Sequence, residues 1–178
     1  KLMKDLQSCM LKDKLYATVG PIKIIKAELE HANYLSTRLR NNDLREVKLA
    51  NSDPLETLVT PLTMKAPTYS AIVEDKPICM FGTVPEEERK HHAIVWALGS
   101  DTIFKYKKSF VKASLSMVEL LQAKNKIIWN VVPKDHYDTI LWLTRLGFTI
   151  EGPVINIKNT TLLHFTRCQN IKNVAVVH

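Results

Sequence analysis

Glycine is scarce in this chain. There are five in 178 residues, and none between Gly99 and Gly147. A phosphate cradle made of bare backbone N–H groups relies on glycines to let the ligand approach. The middle of the chain therefore lacks the material for a glycine-rich nucleotide loop. Cysteine is sparse too: Cys9, Cys79 and Cys168 stand far apart, with no Cys-x-x-Cys pair. That spacing excludes a thiolate zinc ribbon and reads as three reduced thiols in a cytosol-like compartment. The single close histidine pair is His91-His92, and adjacent residues on a strand point to opposite faces, so no metal is expected. No apolar run approaches the ~20 residues of a membrane span. Lys1-Leu2-Met3-Lys4-Asp5 does not form the apolar core of a secretory signal.

What is present is ordinary globular material, 46% apolar and 24% charged, enough for one domain with a real core. The formal charge of +7 favours polyanionic neighbours such as nucleic acid, phosphorylated cofactors or an acidic protein surface. A lysine-rich solvated surface explains the same number. No zinc finger, helix-turn-helix or aromatic RNA-binding strand sharpens a nucleic-acid reading.

Leu2, Met3, Leu6, Met10, Leu11 and Leu15 recur at helical spacing, predicting an amphipathic arm over residues 1–18 that stops before Gly20-Pro21. Ile22–Lys26 reads as a strand, and Ala27 to about Arg40 as a helix that Asn41-Asn42-Asp43 would end. Asp53 followed by Pro54 predicts a capped helix running towards Met64. Tyr69–Glu74 and Pro77–Thr83 form an expected hairpin around Asp75-Lys76. Ala93–Leu98 is a strand, and Thr102–Lys124 reads as one long helix with Lys105, Lys107 and Lys108 in its first turns. Ile127–Pro133 is a strand. It is followed by a helix with Ile140, Leu141, Leu143 and Leu146 on one side, closed by Gly147, with Phe148 opening the next strand. This is a βαβ unit, implying neighbouring or splayed parallel strands. A final strand pair turns at Asn159-Thr160. The expected organisation is an arm (1–20), a domain (21–167) and a tail (168–178).

Over about Ile22 to Arg167 this order of elements resembles the GNAT acyltransferase fold. The helix ending Trp142-Leu143-Thr144-Arg145-Leu146-Gly147-Phe148 is similar to that family's aromatic-x-x-Leu-Gly-Phe ending. The resemblance implies an α/β (α+β) fold, a mixed central sheet of six to seven strands flanked by about four helices. A narrower similarity, carried by Trp96-Ala97-Leu98-Gly99-Ser100-Asp101, the lysine-rich helix, Trp129-Asn130 and Leu143, is to GNAT-like internal virion or virion-assembly proteins of short-tailed bacteriophages.

Activity in that family implies a coenzyme A pyrophosphate loop after the fourth strand and a Tyr acid four residues before the glycine of Leu-Gly-Phe. The loop position holds Leu98, Gly99, Ser100 and Asp101, with Lys105, Lys107 and Lys108 as substitute cations. The acid position holds Leu143, which has no proton to give. If the chain is active, His136, Tyr137 and Glu74 are the candidate catalytic groups, with Glu86 and His92 as further candidate bases. His136 is expected to cap its helix or face solvent. The leading expectation is a non-catalytic, degenerate GNAT-like virion structural or assembly protein without a cofactor, made in the host cytoplasm. Its arm and tail would contact other phage structural proteins, its basic surface would suit DNA, and no membrane is involved. The alternative is an acetyl-CoA-dependent N-acetyltransferase with an atypical cofactor loop. A third reading is a phage protein directed at a host target.

Overall fold

The computed structural model describes residues 15–169. Its centre is one eight-stranded sheet in the order β1-β2-β3-β4-β5-β6-β8-β7. Strands β1 (Leu15–Val19), β2 (Ile22–Lys26), β3 (Thr68–Val73), β4 (Lys76–Pro85) and β5 (His92–Gly99) form an antiparallel meander. Strand β6 (Ile127–Pro133) then runs parallel to β5, and β8 (Thr160–Cys168) lies antiparallel between β6 and β7 (Thr149–Ile157). The strands of the predicted βαβ unit, β6 and β7, share a direction but are separated by β8.

Six helices cover the two faces among the described residues: α1 (Leu29–Ser36), α2 (Asn41–Leu49), α3 (Pro54–Thr63), α4 (Thr102–Lys105), α5 (Lys107–Gln122) and α6 (Tyr137–Arg145). On one face Ala32, Leu35, Val47 and Leu58 pack over Met80 and Leu98. On the other, Phe110, Met117, Leu121 and Leu143 pack over Phe81, Val95 and Ile128. Met80 and Phe81 face opposite layers because neighbouring strand residues alternate. Each fully buried side chain of this size contributes roughly 1.5–3 kcal/mol.

Several expectations change. The sheet has eight strands rather than six or seven, because Leu15–Val19 is a strand paired with β2 and not the end of a helix. Once a neighbouring edge is available, Leu15-Tyr16-Ala17-Thr18-Val19 has the β-branched and aromatic content a strand uses. The rest of the predicted arm (1–14) and most of the tail (170–178) lie outside the described residues. Asn41-Asn42-Asp43 begins α2 instead of ending α1, which stops at Ser36. The long helix is broken at Tyr106, whose φ of −113° and ψ of 25° leave the helical region. The hydroxyl of Tyr106 donates to Glu74 Oε1 at 3.3 Å.

Other local readings hold. Asp53 Oδ1 accepts from the Leu55 and Glu56 N–H groups, with Pro54 at the first helical position. Gly147, at φ +83°, ends α6 in a Schellman turn: Phe148 N–H donates to Leu143 O and Gly147 N–H to Thr144 O.

Candidate functional site

The site begins where the sheet comes apart. On one edge β5 pairs with β4 through seven residues, Ala93 to Gly99. On its other edge, pairing with β6 covers only His92, Ala93 and Ile94. Past Ile94 the ladder stops, and the Asn130 carboxamide reaches across to donate to Val95 O at 2.7 Å. Its own oxygen accepts from the Val131 N–H at 2.8 Å. Asn130 thus marks the apex of a split between Trp96–Gly99 and Val131–Pro133.

Two chambers occupy the split. The first, about 340 Å³, runs through the sheet from Ser114, Met117 and Leu143 on one face to Val47, Leu49 and Ala50 on the other. The second, about 370 Å³, lies beyond the C-terminal end of β5 between α2, the start of α5, and α6. Glu46, Ala97, Thr139 and Trp142 line both. Open α/β sheets hold their ligands in such crevices outside the carboxyl ends of strands.

Helix α2 spans the mouth and ties down both lips. Asp43, 4% exposed, accepts from Gly99 N–H at 2.7 Å, and Arg40 N–H donates to Gly99 O at 2.9 Å. The Arg40 guanidinium grips the Asp43 carboxylate through contacts of 2.8, 3.0 and 3.2 Å. Burial pushes the Asp43 carboxyl up from its ordinary value, against the pull of Arg40 and the Gly99 N–H. Burial lowers Arg40, but Asp43 more than offsets this and holds the guanidinium above its ordinary value. We read the pair as ionic, since four N–H contacts all favour the carboxylate form.

Towards the other lip, Arg45 donates to Asp135 at 2.7 Å and to Thr160 Oγ1 at 3.4 Å. Glu46 Oε1 lies 2.9 Å from His136 Nδ1, and Lys158 Nζ donates to Lys48 O. The bond to Arg45 holds the Asp135 carboxyl below the usual carboxylate range.

The candidate residues disperse. Of the five cofactor candidates, Leu98 lines the first chamber and Lys107 the second. Lys105 stands over the Tyr106 ring at 5.4 Å, and neither it nor Lys108 lines a chamber. Ser100 is buried, its N–H donating to Ile78 O at 2.9 Å. Gly99 is required by packing, since a Cβ there would run into Ile103 Cδ1 and stand 3.0 Å from Ile78 O. The N–H groups of Gly99 and Ser100 are thus committed inside the protein.

His136 occupies the N-cap position of α6 but makes no capping bond and, at 4% exposed, does not face solvent. Glu46 draws it inward. Tyr137 is 76% exposed and lines neither chamber. Glu74 sits in the β3–β4 turn at φ +49°, bonded to Tyr106. Glu86 and His92 lie at the opposite end of β5 from the split, 3.8 Å apart. There the Arg89 guanidinium, 2.7 Å from Glu86, holds that carboxyl below the usual range. Leu143 is buried and forms part of the first chamber's wall. No group of three metal-ligating side chains occurs among the described residues.

Sequence reasoning missed Arg40, Asp43, Arg45 and Glu46, all on or beside the unforeseen α2. The available signal was Asp43-Leu44-Arg45-Glu46-Val47, which places Leu44 and Val47 three apart between charges.

Comparison with solved structures places this architecture. A GNAT-family acetyltransferase from Bacillus anthracis superimposes with a TM-score of 0.63, covering 87% of this chain and 98% of its own, at 13% identity. The chain has the GNAT fold. RimL, a ribosomal-protein acetyltransferase, gives 0.63 at 9% identity, covering 88% and 94%. The microcin self-immunity acetyltransferase MccE, in complex with acetyl-CoA and AMP, gives 0.60 at 14% identity, covering 84% and 93%. No protein-family model matches the sequence, and no curated protein does either. At such identities the likeness establishes the GNAT fold, and the activity is a question for the residues.

Proposed function

We propose that this chain is an acetyl-CoA-dependent N-acetyltransferase with an atypical cofactor loop. The observation that carries the reading is the split between β5 and β6. An extended amide-bearing arm is held by an unpaired strand edge, and β5 offers such an edge past Val95. The acetylated pantetheine arm of coenzyme A has that shape. Lys107 and Arg145 line the second chamber, and neither is in an ion pair with a described residue. They supply charge for the phosphates in place of a glycine cradle, acting through side chains. Chemically, the acceptor nitrogen forms the new C–N bond to the acetyl carbon as the C–S bond breaks. The amine gives up a proton, and the departing thiolate takes one from solvent, since Leu143 cannot supply it. The fold's occurrence in MccE with acetyl-CoA bound supports the same reading.

Calorimetric titration with acetyl-CoA tests it. Binding tighter than ~100 μM, lying between the millimolar and micromolar benchmarks, is expected, with at least a tenfold loss in Lys107→Glu/Arg145→Glu. Absence of binding at millimolar ligand overturns the reading.

A second reading, a non-catalytic bacteriophage virion or assembly protein, is favoured by Leu143 at the chamber wall and by the committed N–H groups of Gly99 and Ser100. On it, residues 1–14 and the tail would contact other virion proteins, and the basic surface would meet DNA. Mass spectrometry of purified particles decides this case, because a chain missing from them is not a virion component.

A further inference from the structure

Resting on the transferase reading, we infer that the first chamber is the acceptor site for a small primary amine carried on an apolar body, with Glu46 holding its ammonium group. Among the residues lining that chamber, Glu46 alone is charged. The walls beside it are Val47, Leu49, Ala50, Trp96, Val131 and Ile157. Glu46, its side chain 34% exposed, is a carboxylate set beside apolar walls, and it favours a cation over an anion there.

Arg40 is engaged with Asp43 and Arg45 with Asp135, and Lys48, two residues after Glu46, is exposed and does not line the chamber. Asp43, three residues before Glu46 on α2, is spent on Arg40 and Gly99. The hydrogen-bond partner of Glu46 is His136, whose ring is buried at the start of α6, while Lys107 and Arg145 share only the second chamber with it. An ionised carboxylate only accepts, so His136 Nδ1–H donates to Oε1 at 2.9 Å. No described group donates to Oε2, which is left for a ligand. His136 is a positioning residue: it holds Glu46 towards the chamber from the far lip of the split.

Other polar groups of the wall are spent inside the protein: the Trp142 indole N–H donates to Ser114 Oγ, and the Asn130 carboxamide serves Val95 O and the Val131 N–H. Thr57, also on the wall, is satisfied internally through Ser52 Oγ and Asp53 O, both at 2.8 Å. Glu46 is therefore the one charged side chain on this wall, and one of its oxygens is left open. At about 340 Å³, shared with the thioester arm, the space suits an acceptor built around one ring. A polyamine would place its second charge against apolar wall.

The probes are 2-phenylethylamine and its near-isosteres 2-phenylethanol and phenylacetate, titrated into the full chain without acetyl-CoA and followed by two-dimensional amide NMR. The amine is expected to bind at least tenfold tighter than the alcohol, with phenylacetate weakest. In Glu46→Gln the preference for the amine over the alcohol should vanish. In His136→Asn the amine-to-alcohol ratio should fall while the alcohol's own affinity holds, which a merely structural role for the imidazole would not produce. Equal binding of amine and alcohol by the wild-type protein overturns the proposal, and so does tighter binding of phenylacetate. The wild-type series decides the matter even where a variant fails to fold. If the amine preference holds while acetyl-CoA does not bind, the transferase reading falls and the amine site stands.

Discussion

Strand β5 has two edges, and they differ more than any other pair of neighbouring regions in the molecule. Its β4 edge is paired from Ala93 to Gly99, and Phe81, on β4, is fully buried. Its β6 edge is paired for three residues and then given over to the side chain of Asn130 and to open space. One strand thus serves both as scaffold and as rim. A backbone group that completes a ladder cannot also hold a ligand, so the site lies where pairing stops.

The largest effect is expected on the paired edge. Phe81→Ala should cost about 3–5 kcal/mol, read as a shifted denaturation midpoint at constant slope. A cost under ~1.5 kcal/mol would mean that β4 is not the anchoring strand. On the open edge the outcome should be the reverse. Ala97 lines both chambers, so Ala97→Leu should weaken acetyl-CoA binding at least tenfold, or ~1.4 kcal/mol, while the denaturation midpoint scarcely moves. If unfolding moves and binding does not, the two edges have been misassigned.

At the junction, Asn130→Ala should cost about 1 kcal/mol, the usual net value of one hydrogen bond. Amide exchange in Val95–Leu98 should quicken with it, because that bond closes the apex. Least perturbing is a labelling experiment. Burial pushes the Cys79 thiol up to about 12, whereas Cys168 is exposed at the end of β8. A thiol reagent near neutral pH should modify Cys168 in the native protein and reach Cys79, on the paired edge of β4, only after unfolding. Native labelling of Cys79 would show that this edge opens as well.

The sequence carried the scaffold better than the rim, for physical reasons. Gly147, the apolar run Ala93–Leu98 and the Asp53-Pro54 cap are local signals, and each appears where the pattern placed it. Leu143, on the apolar side expected of α6, is buried. Helix α2 was passed over because Asn41-Asn42-Asp43 reads as a stop and the helix behind it offers few apolar groups, Leu44, Val47 and Leu49. Its place is secured by partners far along the chain, such as Gly99, Asp135 and His136. The break at Tyr106 likewise depends on Glu74, 32 residues earlier. Of the residues chosen by family position, Ser100, Lys105 and Lys108 line neither chamber, and for the two lysines position along a helix does not say which face meets the cleft.

The three residue pairs at Ile94–Trp129 and the crossing of α2 have a mechanical consequence. The apex acts as a fulcrum and α2 as a tie rod set at the far end of the lever. The width of the cleft is therefore governed at the mouth, by contacts that differ in kind. The exposed Arg45–Asp135 pair weakens in concentrated salt, while the buried Asp43–Gly99 anchor is shielded from it. Added salt is therefore expected to weaken the tie of α2 to the far lip more than its tie to Gly99.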